Sequence, residues 1–291
     1  MSNFEIVKRP SSQPQNQPVP VEPLQLADAA KDGVAPLRTF TSDQQSGPVL
    51  ATVTAHAATV WVAVNESITA PTVRVYCTDP DSPYAQAARD TRIQHTGQQL
   101  TITVPTVKVP PQTGFGGMTI SGGVTITSAS GNMVISNGTL INGHRGVEIE
   151  LLLPPGSGLN SDTTSGSIHG HGHLTAAKID TTSGAAHLDS VGRAEITASS
   201  GPVRISTVTE WADISTSSGP VTVNRHAGHR ARVRTSSGPV ALTIAPEATG
   251  DPEATGDVDV RTSSGPVTMY GSHRPDIRVT VRTSSGPVHR P

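Results

Sequence analysis

A short motif returns along the sequence at nearly constant intervals. The heptapeptide Arg-Thr-Ser-Ser-Gly-Pro-Val occupies residues 234–240, 261–267 and 282–288, and shorter forms of it precede these copies. Successive motif glycines lie 18, 17, 18, 19, 27 and 21 residues apart, and the interval of 27 contains the hexapeptide Pro-Glu-Ala-Thr-Gly-Asp twice in succession. A period of this length is typical of a solenoid, in which each repeat buries its apolar face only against its neighbours. The seven glycines are Gly166, Gly184, Gly201, Gly219, Gly238, Gly265 and Gly286.

Alignment of the repeats on these glycines sorts the residues into columns. Two positions after the glycine every repeat has Val, Ile or Ala, and five positions before it six of the seven repeats have Ile or Val. The position four before the glycine is polar throughout. Alternation within each repeat, with like residues down each column, predicts strands that stack coil on coil with apolar side chains inward. The expected fold is all-β: a single-stranded β-helix, or β-solenoid, with coils of about 18 residues.

The recurring Ser-Ser-Gly-Pro is interpreted as the corner of a coil. Glycine can supply a positive φ at a corner, proline cannot donate to a strand ladder, and serine or threonine can bond to the nearby backbone. A hydrolase serine instead needs Gly-x-Ser-x-Gly on a strand-to-helix turn with a positioned histidine and acid. Because Ser-Ser-Gly-Pro-Val occurs five times, a single reactive serine is not expected, and the seven glycines are predicted to be structural turn residues.

Three regions are expected along the chain. Residues 1–40 are rich in Pro and Gln without a sustained period, which predicts a disordered tail. Residues 41–110 contain four segments that alternate with period two, at 49–53, 60–64, 73–77 and 100–104, and form a β-strand region leading into the solenoid. A helical turn or two is expected within 82–92, and residues 111–291 are the solenoid itself.

Composition limits the functional classes. The chain has a formal charge of -2 and one cysteine, Cys77, so neither a nucleic-acid partner nor a disulfide framework is expected. No apolar run is long enough to span a membrane, and the N-terminus has no apolar signal segment. These features predict a cytoplasmic protein without a membrane span, with envelope association as the alternative, and no cofactor is expected.

The repeats resemble a known family. Copies of Thr-[Thr/Ser]-Ser-Gly-x-[Val/Ile], preceded by Leu-Pro-Pro-Gly-Ser at 153–157, look like the bacterial "putative adhesin" family, a β-strand-repeat domain of unknown function common in actinobacteria. The resemblance covers about residues 45–291 and implies a right-handed β-helix with an adhesin-like role. The family has no established catalytic residues to carry over. This chain departs from the family pattern in its Pro-rich start and in having Pro where an acidic residue commonly follows the glycine.

A histidine run is the most suggestive metal motif. His169, His171 and His173 alternate along one predicted strand and are expected to face outward, where imidazoles can bind Zn²⁺ or Ni²⁺. Same-face neighbours on a strand are about 6.5–7 Å apart, too far for compact tetrahedral binding without a bend. Exposed polar strand residues are therefore the favoured interpretation, and a metal site is the alternative.

A carboxylate pair suggests a second chemistry. Glu195 and Asp213 are expected one coil apart, near the separation of about 5–5.5 Å that a retaining glycosidase uses. Lys178 and Arg232 flank them in the same column, and such a ladder is also ordinary surface charge compensation. The sequence keeps a polysaccharide-active β-helix enzyme as an alternative to the compensated surface.

An arginine column is the feature that the coil geometry leaves without a structural role. Arg234, Arg261 and Arg282 are predicted to align on the outer surface, with Arg232 beside them. The leading hypothesis is therefore a non-enzymatic scaffold whose outer faces bind an unknown protein or a cell-envelope polymer. A further alternative is an intracellular scaffold that self-associates end to end through its last coil.

Overall fold

The computed structural model describes residues 26–43, 47–107, 133–136, 139–142, 146–246, 256–272 and 277–290. Within these residues eighteen strands form one continuous sheet, two further strands pair with each other, and two short helices lie near the start. The helices are α1 (Asp28–Lys31) and α2 (Pro83–Arg89). The strands are β1 (Arg38–Thr41), β2 (Leu50–Ala55), β3 (Ala58–Val64), β4 (Thr72–Cys77), β5 (Arg92–Thr96), β6 (Gln99–Thr103), β7 (Met133–Ser136), β8 (Thr139–Asn142), β9 (Val147–Leu153), β10 (Gly158–Thr163), β11 (Ile168–Thr181), β12 (Ala186–Ala198), β13 (Val203–Thr216), β14 (Val221–His226), β15 (Arg230–Thr235), β16 (Val240–Ile244), β17 (Gly256–Thr262), β18 (Val267–Tyr270), β19 (Ile277–Thr283) and β20 (Val288–His289).

The strands stack in two parallel ladders that meet at the Ser-Gly corners. The leading ladder holds the segments before each corner: β6, β2, β10, the second halves of β11, β12 and β13, then β15, β17 and β19. The trailing ladder holds the segments after each corner: β9, β3, the first halves of β11, β12 and β13, then β14, β16, β18 and β20. Each repeat therefore contributes one strand to each ladder, and the all-β, solenoid-like stacking is confirmed.

The residue columns read from the sequence are register partners in the structure. In the leading ladder Ala177 pairs with Ala194, and Ala194 with Ala212, with Ala231 and Val258 following in the same column. These residues and the inward valines and isoleucines of both ladders are buried in one core cluster. The core is thus a stack of small and β-branched side chains, each covered by its counterpart one coil away.

The corner glycines are required for a different reason from the one expected. None of the seven has a positive φ, so the prediction that they supply left-handed backbone is wrong. A Cβ atom on Gly201 would instead overlap the carbonyl oxygen of Gly184, and one on Gly219 would overlap that of Gly201. The same overlap with the preceding coil holds at all seven corners. Glycine is needed because successive coils approach each other most closely there.

The other corner residues satisfy backbone groups. At four corners the threonine three residues before the glycine accepts the glycine N–H, as Thr262 does from Gly265 at 2.9 Å. At two others the threonine hydroxyl donates to the glycine carbonyl, as Thr216 does to Gly219 at 3.0 Å. Two corners have no proline after the glycine, and there the Ala185 N–H donates to the hydroxyl of Ser167 at 3.4 Å. Proline at this position removes a donor that would otherwise need a side-chain partner. Its carbonyl still serves the ladder, since Pro239 accepts the Val221 N–H at 2.9 Å.

The stacking begins earlier in the chain than the predicted boundary at residue 111. β2 pairs in register with β10, and β3 with β11, so residues 50–64 form a coil of the same kind. Their corner has no Ser-Gly; the carbonyl of His56 accepts the amides of Thr164 and Ser165 instead. The four strands predicted near 49–53, 60–64, 73–77 and 100–104 are confirmed, as is a helix within 82–92. The duplicated hexapeptide lies almost wholly outside the described residues.

The predicted tail of residues 1–40 differs from the structure over its second half. Residues 1–25 lie outside the described residues, but α1 packs on the sheet and β1 pairs antiparallel with β4. At the same end, α2 buries Ala85, Ala87 and Ala88 in the main core cluster. In the last described coil, the column partners Val279 and Val281 are only partly buried and Val288 is exposed.

A histidine lies among the apolar side chains of the core. His226 occupies the inward column between Val208 and Ile244, and its side chain is fully buried. Neither ring nitrogen has a hydrogen-bond partner among the described residues. Burial, with the nearby His229 as the smaller cause, lowers the pKa of His226 to about 4. The folded state therefore holds this imidazole neutral.

Adding a methyl group to a corner glycine should destabilise the fold. We expect Gly219→Ala to lower the free energy of unfolding by about 3 kcal/mol, the upper range for overpacking, because the added atom overlaps backbone that cannot rotate away. Gly47→Ala is the control, since a Cβ there would meet nothing within 4 Å. Urea unfolding of both variants makes the comparison, and equal stabilities would contradict the close-approach explanation.

Acid should destabilise the fold through His226. The unfolded chain protonates this ring near pH 6.5, whereas the folded chain does so only near pH 4, so stability falls as the pH drops through that window. Between pH 7 and pH 4.5 this effect should lower the free energy of unfolding of the wild type by about 2–3 kcal/mol. The variant His226→Val, which keeps a β-branched residue in the column, should not show this part of the decrease. Urea midpoints at the two pH values test this; an unchanged pH dependence would be inconsistent with a neutral buried ring.

Candidate binding surface

Four arginines lie on the outer side of the leading ladder. Arg234, Arg261 and Arg282 are direct register partners on three successive coils. Arg232 lies two residues before Arg234, on the same side of β15, and pairs in register with Asp213 and Asp259. The side chains of Arg234 and Arg261 are 44% and 48% exposed, so their guanidinium groups face solvent. The structure thus brings together the arginine column expected from the sequence.

Nearby carboxylates neutralise the positive charge of some of these arginines and not of others. The Asp213 carboxylate lies 3.8 Å from the Arg232 guanidinium and 3.7 Å from that of Arg234. One carboxylate thus forms a long ion pair with each of two arginines. Asp259 contacts Arg261 at 2.8 Å, and its side chain is only 10% exposed. The equivalent position on the next coil is Thr280, and no ion pair to Arg282 is found among the described residues. Positive charge therefore remains at the last coil.

A shallow groove of about 440 Å³ runs beside these arginines, and we call it the arginine groove. Arg234, Arg261 and Arg282 line one part of it, and serines and threonines of four successive corners line the rest. Its lining is polar throughout. Such a surface presents guanidinium groups and hydroxyls in rows that repeat once per coil.

Five corners have two serines before the glycine, and the two differ in their contacts. At three of these corners the second serine donates to a carbonyl one coil away, as Ser264 does to Ser236 at 3.3 Å and Ser285 to Ser263 at 3.3 Å. The hydroxyls of the first serines donate no hydrogen bond within the described part of the chain. These first serines line the arginine groove: Ser217, Ser236, Ser263 and Ser284. The two serines are alike in the sequence, which did not reveal this row of hydroxyls facing solvent.

The carboxylate pair is assembled as expected but is engaged by cations. Glu195 and Asp213 are direct register partners, and both line a second groove of about 510 Å³ that also contains Trp211. Glu195 binds Lys178 at 2.8 Å, while Asp213 faces the arginines. The contacts are those of a charge-compensated surface, and a hydrolytic role for the pair stays an untested alternative.

The three histidines of the run contact different side chains. His169 stacks on Trp61 with ring centroids 4.2 Å apart. His171 lies 3.3 Å from Asp189, and His173 lies 2.8 Å from the hydroxyl of Ser190. Gly172, with a φ of 82°, introduces an irregularity between them. Among the residues that the structure describes, no three His, Cys, Asp or Glu side chains come close enough to share a metal ion.

His169 belongs to an aromatic cluster that the sequence did not reveal. The ring of His187, one coil away, meets the His169 ring edge-on at 5.3 Å, and the Lys31 ammonium lies over Trp61 at 5.0 Å from the ring centre. Burial, followed by the nearby His187 and His171, lowers the pKa of His169 to about 4. Trp61 of the trailing ladder therefore contacts both Lys31 of α1 and His169, whose imidazole is neutral at ordinary pH.

A buried carboxylate fixes the N-terminal segment to the sheet. Glu150, on β9, is fully buried and accepts the Leu26 amide at 2.6 Å while bonding to Arg74 at 3.0 Å and to Tyr76 at 3.1 Å. Burial, and then the Glu150 carboxylate, raise the pKa of Tyr76 to about 12, so its hydroxyl remains a donor. Glu148 accepts the Ala29 amide at 3.2 Å. Two acidic residues within an apolar strand were the available sequence signal for this network.

The fold and its surface define a class of protein. Coils that supply one strand to each of two parallel ladders, with exposed columns of like side chains, are typical of a solenoid-like repeat protein. Residues 85–291 match the model of the Toastrack DUF4097 family, and the chain belongs to that family. No curated protein matches the sequence.

Several solved structures are similar to the chain. A putative adhesin from Bacteroides fragilis is 10% identical, with a TM-score of 0.46, over 87% of this chain and 97% of that one. A putative adhesin from Parabacteroides merdae is 10% identical, with a TM-score of 0.41, over 87% and 96%. A putative lipid binding protein from Parabacteroides distasonis is 14% identical, with a TM-score of 0.43, over 87% and 96%.

Within the described residues, neither helix has the length and apolar character needed to cross a membrane.

Removing the Glu150 carboxylate should release the N-terminal segment. We expect Glu150→Ala to cost about 3–5 kcal/mol, because it leaves a partly buried guanidinium and backbone amides without their acceptor. Trypsin should also cleave after Lys31 faster than in the wild type. Glu195→Ala, which removes an exposed ion pair, is the control and should change neither quantity by much. Unchanged cleavage after Lys31 in Glu150→Ala would show that the carboxylate does not hold the segment.

Proposed function

We propose that the protein is a non-enzymatic, adhesin-like scaffold that binds a polymer of the cell envelope through the arginine groove. In this proposal the chain forms a right-handed, single-stranded β-helix with coils of about 18 residues, and the stack serves to hold side chains in fixed rows. The observation that carries the proposal is the alignment of Arg234, Arg261 and Arg282 in register on an exposed groove.

The structural roles of the other residues support this choice. Inward columns form the core, corner glycines permit close approach of coils, and corner threonines bond to the backbone. The outer arginines have no comparable role, and they raise repulsion between neighbouring coils instead. A ligand with negative charge would relieve that repulsion, since guanidinium groups form paired hydrogen bonds with carboxylate or phosphate.

The proposed binding requires no chemical step. Glu195 and Asp213 each have cationic neighbours, so no observation favours hydrolysis over charge compensation. The formal charge of -2 for the whole chain also makes the positive groove a local feature. Local charge of this kind supports selective binding by one face more than general attraction to any polyanion.

Neutralising the arginine column should weaken binding to cell walls. We expect the purified protein to sediment with an insoluble bacterial cell-wall preparation, and Arg234→Gln/Arg261→Gln/Arg282→Gln to reduce the bound fraction by about tenfold or more. The matched control is Arg92→Gln/Arg204→Gln/Arg290→Gln, which makes the same change in net charge at exposed arginines elsewhere. Equal sedimentation of the two triple variants would argue against the groove as the binding surface.

A further inference from the structure

We infer that the arginine groove binds a linear acidic polysaccharide that lies along the axis of the coil stack, with its anionic groups on the guanidiniums and its sugar hydroxyls on the first corner serines. The inference rests on the proposed function and names the chemical class of its ligand. The shared chemistry is a sugar chain with regularly repeated carboxylate or phosphate groups.

The direction of the ligand follows from the register. Arg234, Arg261 and Arg282 pair directly across neighbouring strands, so their backbones are about 4.8 Å apart along the stack. A charged chain crossing the strands can meet one guanidinium per coil. A chain running along β15 would meet Arg230, Arg232 and Arg234, but Arg230 and Arg232 do not line the arginine groove. A ligand chain that lies along the axis of the stack can therefore contact all three arginines of the column.

The hydroxyl row runs parallel to the arginine column. Each groove arginine is followed two residues later by a first serine of the corner: Ser236 after Arg234, Ser263 after Arg261, and Ser284 after Arg282. A hydroxyl can both donate and accept, which suits the hydroxyls of a sugar. Each coil thus offers one cation and one neutral hydrogen-bonding group, the pair that a charged sugar unit requires.

The lining of the groove disfavours other polymers. It contains only arginine, serine and threonine, so nucleic-acid bases would find no aromatic side chain to stack on there. Trp211 lies in the neighbouring groove, beside Glu195 and Asp213. A protein partner would bind best around a buried aromatic or apolar anchor, which this lining also lacks.

The uneven charge balance predicts where the ligand binds most strongly. Asp259 neutralises Arg261 at 2.8 Å, and Asp213 is shared between Arg232 and Arg234. At the equivalent place beside Arg282 the chain has Thr280. The end of the groove at Arg282 is therefore the part most in need of an external anion.

The test measures binding of the full chain to immobilised polysaccharides by surface plasmon resonance, at low and at high salt. Polygalacturonate supplies carboxylates, phosphomannan supplies phosphates, neutral dextran is the uncharged control, and poly(dT) represents nucleic acid. The variants are the triple arginine variant, its matched control, and Ser236→Ala/Ser263→Ala. Ser199→Ala is the control for the serines, because Ser199 is a first corner serine outside the arginine groove.

We expect at least one acidic polysaccharide to bind, more weakly at high salt, with dextran unbound. The triple arginine variant should weaken binding by about tenfold or more, and the serine pair by about five- to tenfold. Both controls should stay within about twofold of wild type. Whichever of the two acidic polysaccharides binds more tightly identifies carboxylate or phosphate as the preferred group.

Three results would overturn the inference: no binding to either acidic polysaccharide, tighter arginine-dependent binding to poly(dT), or full binding by the serine variant. If the wild type still sediments with cell walls in the first case, the inference fails while the proposed function stands. If sedimentation is also absent, the proposed function fails with it.

Discussion

The closest contact between coils occurs where the carbonyl oxygen of one corner glycine lies against the next corner glycine. A side chain at any of these seven positions would overlap the backbone of the preceding coil. The amides of the corner add direct bonds between coils, as when Ser218 donates to Ser199 at 2.9 Å. Glycine therefore lets the corner keep the spacing that the hydrogen-bonded ladders on both sides require, and a larger residue would force the coils apart there.

A constant spacing brings equivalent residues of successive repeats together. Inside, this stacks Ile196 on Ile214 and Val203 on Val221, which buries apolar surface without large aromatic anchors. Outside, the same geometry aligns Arg234 with Arg261 and Arg282. The constant spacing of the coils produces both the core columns and the surface columns. When the same residue is substituted at one position of every repeat, a whole row of the surface therefore changes. Repeat proteins make extended binding surfaces in this way.

The sequence predicted what repetition specifies and missed what local contacts decide. Strand alternation and the column assignments were correct because register in this fold equals the alignment of the repeats. The role of glycine was predicted wrongly, since sequence shows that the residue is required but not whether φ or close approach requires it. The coil at 50–64 has no Ser-Gly corner, and His56 takes its place through a backbone carbonyl that any residue has. Glu150 binds a segment 124 residues away, and only the fold brings the two together.

The arginine column also shows how stability and binding differ within one strand. Like charges directly opposite each other on neighbouring strands are unfavourable, and the fold reduces this effect with Asp213 and Asp259 rather than by alternating the column itself. Exposed ion pairs contribute little net stability, so these aspartates do not explain why arginine is kept on three successive coils. The inward columns at Val233 and Val260 already hold the strands in place. The outward positions therefore contribute less to the core than the inward ones, and an aligned row of guanidiniums beside a row of solvent-facing hydroxyls supports the charged ligand that we propose.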